Sequence, residues 1–129
     1  MDLCLPTPRA RKKARMSHWE TQVRKGLVEL AVLATIARGE TYGYRIVERL
    51  QKVEGLQFTE STVYPVLTRL ARERLLAIRA APSPAGPVRR YYRLTTSGEQ
   101  RLGQMAESWK SVATSLSGLL NSDPEGAQR

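Results

Sequence analysis

The run Ser61-Thr62-Val63-Tyr64-Pro65-Val66-Leu67-Thr68-Arg69-Leu70, continued by Leu76-Ala77-Ile78-Arg79-Ala80 and Val88-Arg89-Arg90-Tyr91-Tyr92-Arg93-Leu94, changes its hydrophobic period partway along. In the first part Val63, Val66, Leu67 and Leu70 recur at i, i+3, i+4 and i+7, the spacing that lines one side of an α-helix. Thr59 or Ser61 suits its N-cap, and Pro65, cheap in a first turn and costly further in, favours a start near Ser61. The other two parts read as strands of an antiparallel hairpin. Between them Pro82-Ser83-Pro84-Ala85-Gly86-Pro87 is expected to carry no regular structure. In the second strand Arg90, Tyr92 and Leu94 share one face, with Tyr92 and Leu94 toward the core, and Arg89, Tyr91 and Arg93 share the other.

Upstream, Thr21 to Arg38 holds no proline and is apolar on most sides (Leu27, Val28, Leu30, Val32, Leu33, Ile36), which places that helix in a core or a subunit interface. Gly39-Glu40 ends it. A second helix is expected from about Tyr42 to Lys52, with Ile46, Val47, Leu50 and Val53 inward. Downstream, Thr95 or Thr96 caps a last helix, and Thr96 with Glu99 has capping-box spacing. Within it Leu102, Met105, Trp109, Val112, Leu116 and Leu119 are spaced 3, 4, 3, 4 and 3, a heptad seam that needs a covering surface. The cover is either the first helix of the same chain or a second copy.

Three helices, a two-stranded β-wing and a long terminal helix describe a mainly α chain, a winged helix-turn-helix followed by a long C-terminal helix. The expected organisation is a disordered basic tail over 1–17, the winged helix-turn-helix over 18–95, the terminal helix over 96–121, a dimerisation helix if a second copy covers its seam, and a disordered tail over 122–129.

The 129 residues carry a net charge of +9, and its placement narrows the function. Residues 1–16 hold +4, residues 17–58 hold +1, residues 59–93 hold +5 and residues 94–129 hold −1. The tail is either a solvated leader, with Met16 as an alternative start, or a basic arm reaching along DNA. The +5 block coincides with the third helix and the hairpin. Opposite the apolar stripe of that helix stand Ser61, Thr62, Tyr64, Thr68, Arg69 and Arg72, whose hydroxyls and guanidiniums suit phosphates and base edges in a major groove. Arg89 and Arg90 on the hairpin suit an adjacent minor groove or phosphate.

Other chemistry is poorly supplied. One His (His18) and one Cys (Cys4) make neither a metal site nor an intrachain disulfide, and no catalytic residue or cofactor is expected. No apolar run is long enough for a membrane span, and no apolar segment follows the basic N-terminus as in a secretory signal, so a cytoplasmic location is expected. A winged helix that binds a partner protein instead of DNA is the competing reading; an acidic face would favour it, and this one is basic.

The segments Gly26-Leu27-Val28-Glu29-Leu30-Ala31-Val32-Leu33, Tyr42-Gly43-Tyr44-Arg45-Ile46, Ser61 to Leu70, and Arg90-Tyr91-Tyr92-Arg93-Leu94-Thr95, in that order and spacing, resemble the PadR family of bacterial transcriptional regulators across about residues 22–120. The resemblance implies a homodimer binding double-stranded DNA at a palindromic operator, usually as a repressor, and adds Tyr42 to the candidate DNA contacts. The single terminal helix is similar to the smaller subgroup of the family. In that subgroup a Trp on this helix faces a cavity at the dimer axis, so Trp109, with Trp19 and Met105 nearby, implies a site for a planar aromatic effector. A Trp at a seam position also serves as ordinary core, and Trp19 also serves to anchor the start of the first helix. The chain departs from the family at Arg74, where a Gly usually follows the acidic residue closing the third helix, and in a wing unusually rich in proline. Either position 74 needs a left-handed backbone, where Arg costs about 1 kcal/mol, or the turn is built differently.

Overall fold

The computed structural model describes residues 17–121. The expected tails, apart from Ser17, lie outside the described residues, as does Cys4. Helix α1 (His18–Ile36) is followed by strand β1 (Thr41–Tyr42), helices α2 (Gly43–Gln51) and α3 (Glu60–Arg72), strands β2 (Leu76–Ser83) and β3 (Gly86–Leu94), and helix α4 (Thr96–Asn121).

Helix α1 begins three residues before the expected Thr21, because Ser17 and Glu20 form a reciprocal capping box: the Ser17 hydroxyl accepts from the Glu20 N–H and the Glu20 carboxylate accepts from the Ser17 N–H, both at 3.1 Å. Its apolar sides make it the centre of the core. Val28, Ala31, Val32, Leu33 and Ile36 are buried with Ile46, Val47 and Leu50 of α2, Val63, Leu67 and Leu70 of α3, and Leu76 and Tyr92 of the sheet. The buried Thr35 hydroxyl donates to the Ala31 carbonyl at 2.8 Å, so no polar cost is left there.

The α2–α3 connection is anchored by Phe58, a core residue between segments with no helical period of their own. The Gln51 side chain donates to the Phe58 carbonyl (2.8 Å) and the Gln57 side chain to the Gln51 carbonyl (3.0 Å), which fixes the angle between the two helices. Helix α3 starts at Glu60, one residue before the expected Ser61. Pro65 therefore stands in its second turn, and its lost N–H bond falls on the solvent side. The chain leaves α3 through Arg74 in the left-handed region (φ 64°). The Arg74 N–H donates to Ala71 and the Leu75 N–H to Leu70, a Schellman closure with Leu75 buried beneath it. Of the two alternatives for position 74, the structure has the left-handed backbone that usually takes glycine.

Two strand expectations are corrected. The sheet has three antiparallel strands in the order β1-β3-β2, because Thr41–Tyr42, read as the approach to a helix, pairs with Tyr92 and Tyr91. The wing strands also run through Pro82 and Pro87, leaving only Pro84 and Ala85 between them. Both prolines stand where one side of the ladder is open: β2 is an edge strand, and β3 beyond Tyr91 has β2 as its sole neighbour. The expected faces of β3 hold, with Tyr92 buried.

Helix α4 is capped by Thr95, not by a Thr96–Glu99 box. The Thr95 hydroxyl accepts from the Gly98 N–H (3.0 Å) and donates to the Arg74 carbonyl (2.8 Å). Gly98 is buried against the Leu75 carbonyl, and a Cβ there would overlap it. At 26 residues α4 is about 39 Å long. Leu102 and Met105 pack on the core, but Trp109, Val112, Leu116 and Leu119 are 47 to 75% exposed, so only the first two of the six seam positions are covered within one chain. No helix among the described residues is long and apolar enough to cross a membrane.

Candidate nucleic-acid interface

With Val63, Val66, Leu67 and Leu70 inward, helical geometry puts Ser61, Pro65, Thr68 and Arg72 along the opposite side of α3. All four are exposed. Thr62 flanks them on one side and Tyr64 on the other. At the start of the helix the Thr59 hydroxyl lies 3.0 Å from that of Ser61 and 3.4 Å from that of Thr62, and it makes no side-chain cap to the N-terminal N–H groups of α3. The Thr68 hydroxyl donates back to the Tyr64 carbonyl at 3.1 Å and keeps its lone pairs outward. Arg72 makes no ion pair with any described residue.

Tyr64, 38% exposed, lies over Gly43, where a Cβ would overlap its ring, and this close contact seats the start of α2 against α3. Burial raises the Tyr64 phenol above its ordinary pKa, and the Glu60 carboxylate adds to the rise. Arg69 is placed differently from expectation. Its guanidinium is held by Glu29 of α1 (2.9 Å) and by Glu73 (3.4 Å), which turns it toward the core side of α3 and away from Arg72. The hydrogen bond to Glu29 raises the Arg69 pKa further above its ordinary value.

The wing carries its cations on both faces. Arg90 shares a face with Tyr92 and is exposed. Arg89 lies on the other, its guanidinium 4.1 Å from the centre of the Tyr42 ring. Tyr42 meets Tyr91 edge-on at 5.6 Å, and Arg79 lies 5.0 Å from the Tyr91 ring centre while binding Glu40 through two hydrogen bonds of 2.8 and 3.1 Å. This ladder orders Arg89 from behind. The Arg79 bonds hold the Glu40 carboxyl below the usual carboxylate range. Of the seven arginines in the +5 block, Arg69 and Arg79 are therefore neutralised locally, Arg72, Arg74, Arg90 and Arg93 are exposed, and Arg89 is partly buried against Tyr42.

Sequence reasoning missed Glu29, Glu40, Arg79 and Arg101 as ion-pairing residues. Their partners lie 39 to 72 residues away, and no local spacing signals such pairs. Trp109 and Trp19 are largely exposed, and Met105 rests partly on the core. None of the three lines the open cleft of about 390 Å³ that lies between Ile36, Glu40, Arg93, Leu94, Glu99 and Leu102.

Comparison with known proteins gives the class. Residues 32–104 match the transcriptional regulator PadR-like family. A PadR-like transcriptional regulator from Bacillus cereus is 33% identical, covering 79% of this chain and 99% of its own, with a TM-score of 0.72. A transcriptional regulator from Streptococcus is 32% identical over 78% of this chain and 98% of its own, at 0.70. Bacillus subtilis PadR in complex with operator DNA is 27% identical over 62% of this chain and 46% of its own, at 0.56. The chain belongs to the PadR-like family of transcriptional regulators.

Proposed function

We propose that the protein is a sequence-specific DNA-binding repressor that acts as a homodimer on a palindromic operator. The observation that carries this reading is the exposed row Ser61, Pro65, Thr68 and Arg72 opposite the buried stripe of α3, beside a wing that offers Arg89 and Arg90. Helix α3 enters the major groove, with Ser61, Thr62 and Thr68 on phosphates and base edges and Arg72 on phosphate or guanine. Arg89, braced by Tyr42, and Arg90 reach the neighbouring minor groove, and Tyr64 sets the seat of α3. The operator-bound Bacillus subtilis neighbour shares this fold, which supports the assignment. The uncovered four positions of the α4 seam support pairing of two copies, and Trp109, the first of them, would then stack on a planar aromatic effector at the dimer axis.

Enrichment of random duplexes on the purified protein tests the reading. It is expected to yield a palindrome whose half-sites lie about one helical turn apart. Affinity is expected to fall steeply as salt rises, and Arg72→Ala should flatten the salt slope by about one unit per subunit. Enrichment of no sequence, or affinity indifferent to salt, would sink the proposal.

A further inference from the structure

Helices α3 and α4 make little direct contact; each packs on α1 instead. They are nevertheless joined at two points. The first lies at the end of α3: the Thr95 N–H donates to the Leu75 carbonyl (3.1 Å), the Thr95 hydroxyl donates to the Arg74 carbonyl (2.8 Å), and Gly98 sits against Leu75. The second is Glu29. One of its carboxylate oxygens takes Arg69 of α3 at 2.9 Å and the other takes Arg101 of α4 at 2.7 Å, with the Glu29 side chain only 17% exposed. Packing on α1 sets the approximate angle between the two helices, and two attachments a turn apart hold it more tightly than one. The first point is built from backbone and is stiff. The second is built from three charged side chains, and its length is set by them alone.

We infer that Glu29 is a positioning residue that sets the angle between the recognition helix α3 and the terminal helix α4, and so the separation of the two half-sites a dimer accepts. The inference rests on the dimeric, operator-binding reading above and deepens it. Arg69 and Arg101 serve as the two arms of the same brace, and Arg69 is thereby withdrawn from the DNA contacts. Because α4 supplies the seam between copies, an angular error at Glu29 is carried along its length to the partner's recognition helix. It leaves each helix's own groove contacts intact.

The test uses the full chain and the palindrome obtained by enrichment, offered intact, as a single half-site, and with one base pair added to or removed from its centre. Arg101→Gln is the informative variant, because Glu29 keeps Arg69 as a partner and no charge is stranded. Its half-site affinity and salt slope are expected to match the parent. Its affinity for the intact palindrome should fall by about tenfold, and its discrimination against the altered spacings should shrink. Arg101→Lys should restore part of the discrimination, and Glu29→Gln, which loosens both arms, should lose more of it. Full spacing discrimination in Arg101→Gln and Glu29→Gln would overturn the inference. So would a loss of half-site affinity with a reduced salt slope in Arg69→Gln, since that makes Arg69 a phosphate contact. A parent protein that binds the palindrome no better than one half-site would instead overturn the dimeric reading, and the inference with it.

Discussion

Arg74 holds a backbone that suits glycine, with φ at 64°, at the close of α3. A Cβ in that region costs about 1 kcal/mol or more, and no side-chain bond of Arg74 is in place to offset it. Arg74→Gly is expected to raise stability by about 1 kcal/mol, read as a higher denaturant midpoint at unchanged slope. A lower midpoint would show that the arginine side chain contributes more than its backbone costs. The tyrosines give a second prediction at this scale. Burial raises the Tyr92 pKa, opposed by Arg90, and burial likewise raises that of Tyr64. Groups whose folded pKa exceeds the unfolded value of about 10 contribute stability below that pH and lose it as pH rises through the folded pKa. Stability should thus decline above about pH 10, and Tyr92→Phe should make the decline shallower. Urea midpoints at neutral and alkaline pH measure this, and an equal decline in both proteins would count against Tyr92 as its source.

Helices with a clear stripe were legible in the sequence, and so was the α4 seam, though not which of its positions the chain covers itself. Val63, Leu67 and Leu70 are fully buried as their spacing predicts, and Tyr92 faces inward as its strand parity predicts. The elements that escaped have physical reasons. A two-residue strand such as β1 has no period to read. Pro82 and Pro87 signal a loop in sequence, because the openness of a sheet edge that tolerates them is a tertiary fact. At the site, the exposed row of α3 follows from its buried row. The diversion of Arg69 does not, because Glu29 is remote in sequence and reaches it only through the packing of α1. The α4 seam carries its own prediction. Leu116→Lys places a charge at a 50% exposed position without touching the core, so the fold should persist. The variant is expected to sediment as a monomer where the parent sediments as a dimer. It should also lose any quenching of Trp109 fluorescence by planar aromatic compounds. A dimeric variant would place the interface elsewhere.

Taken whole, the molecule separates its charge by task. The neutral α1 and the first turns of α4 hold the core. Carboxylates cancel the arginines that brace the frame, and Arg72, Arg89 and Arg90, which have no carboxylate partner among the described residues, stand on α3 and the wing. The proline in β2 has one more consequence. An edge strand offers an unbroken row of donors and acceptors to any strand of another molecule, and that is how sheet proteins form fibres. Pro82 removes a donor from that row near the wing tip, where a newly made chain is most open to such pairing. The proline that stiffens the wing therefore also discourages copies of the chain from zipping edge to edge.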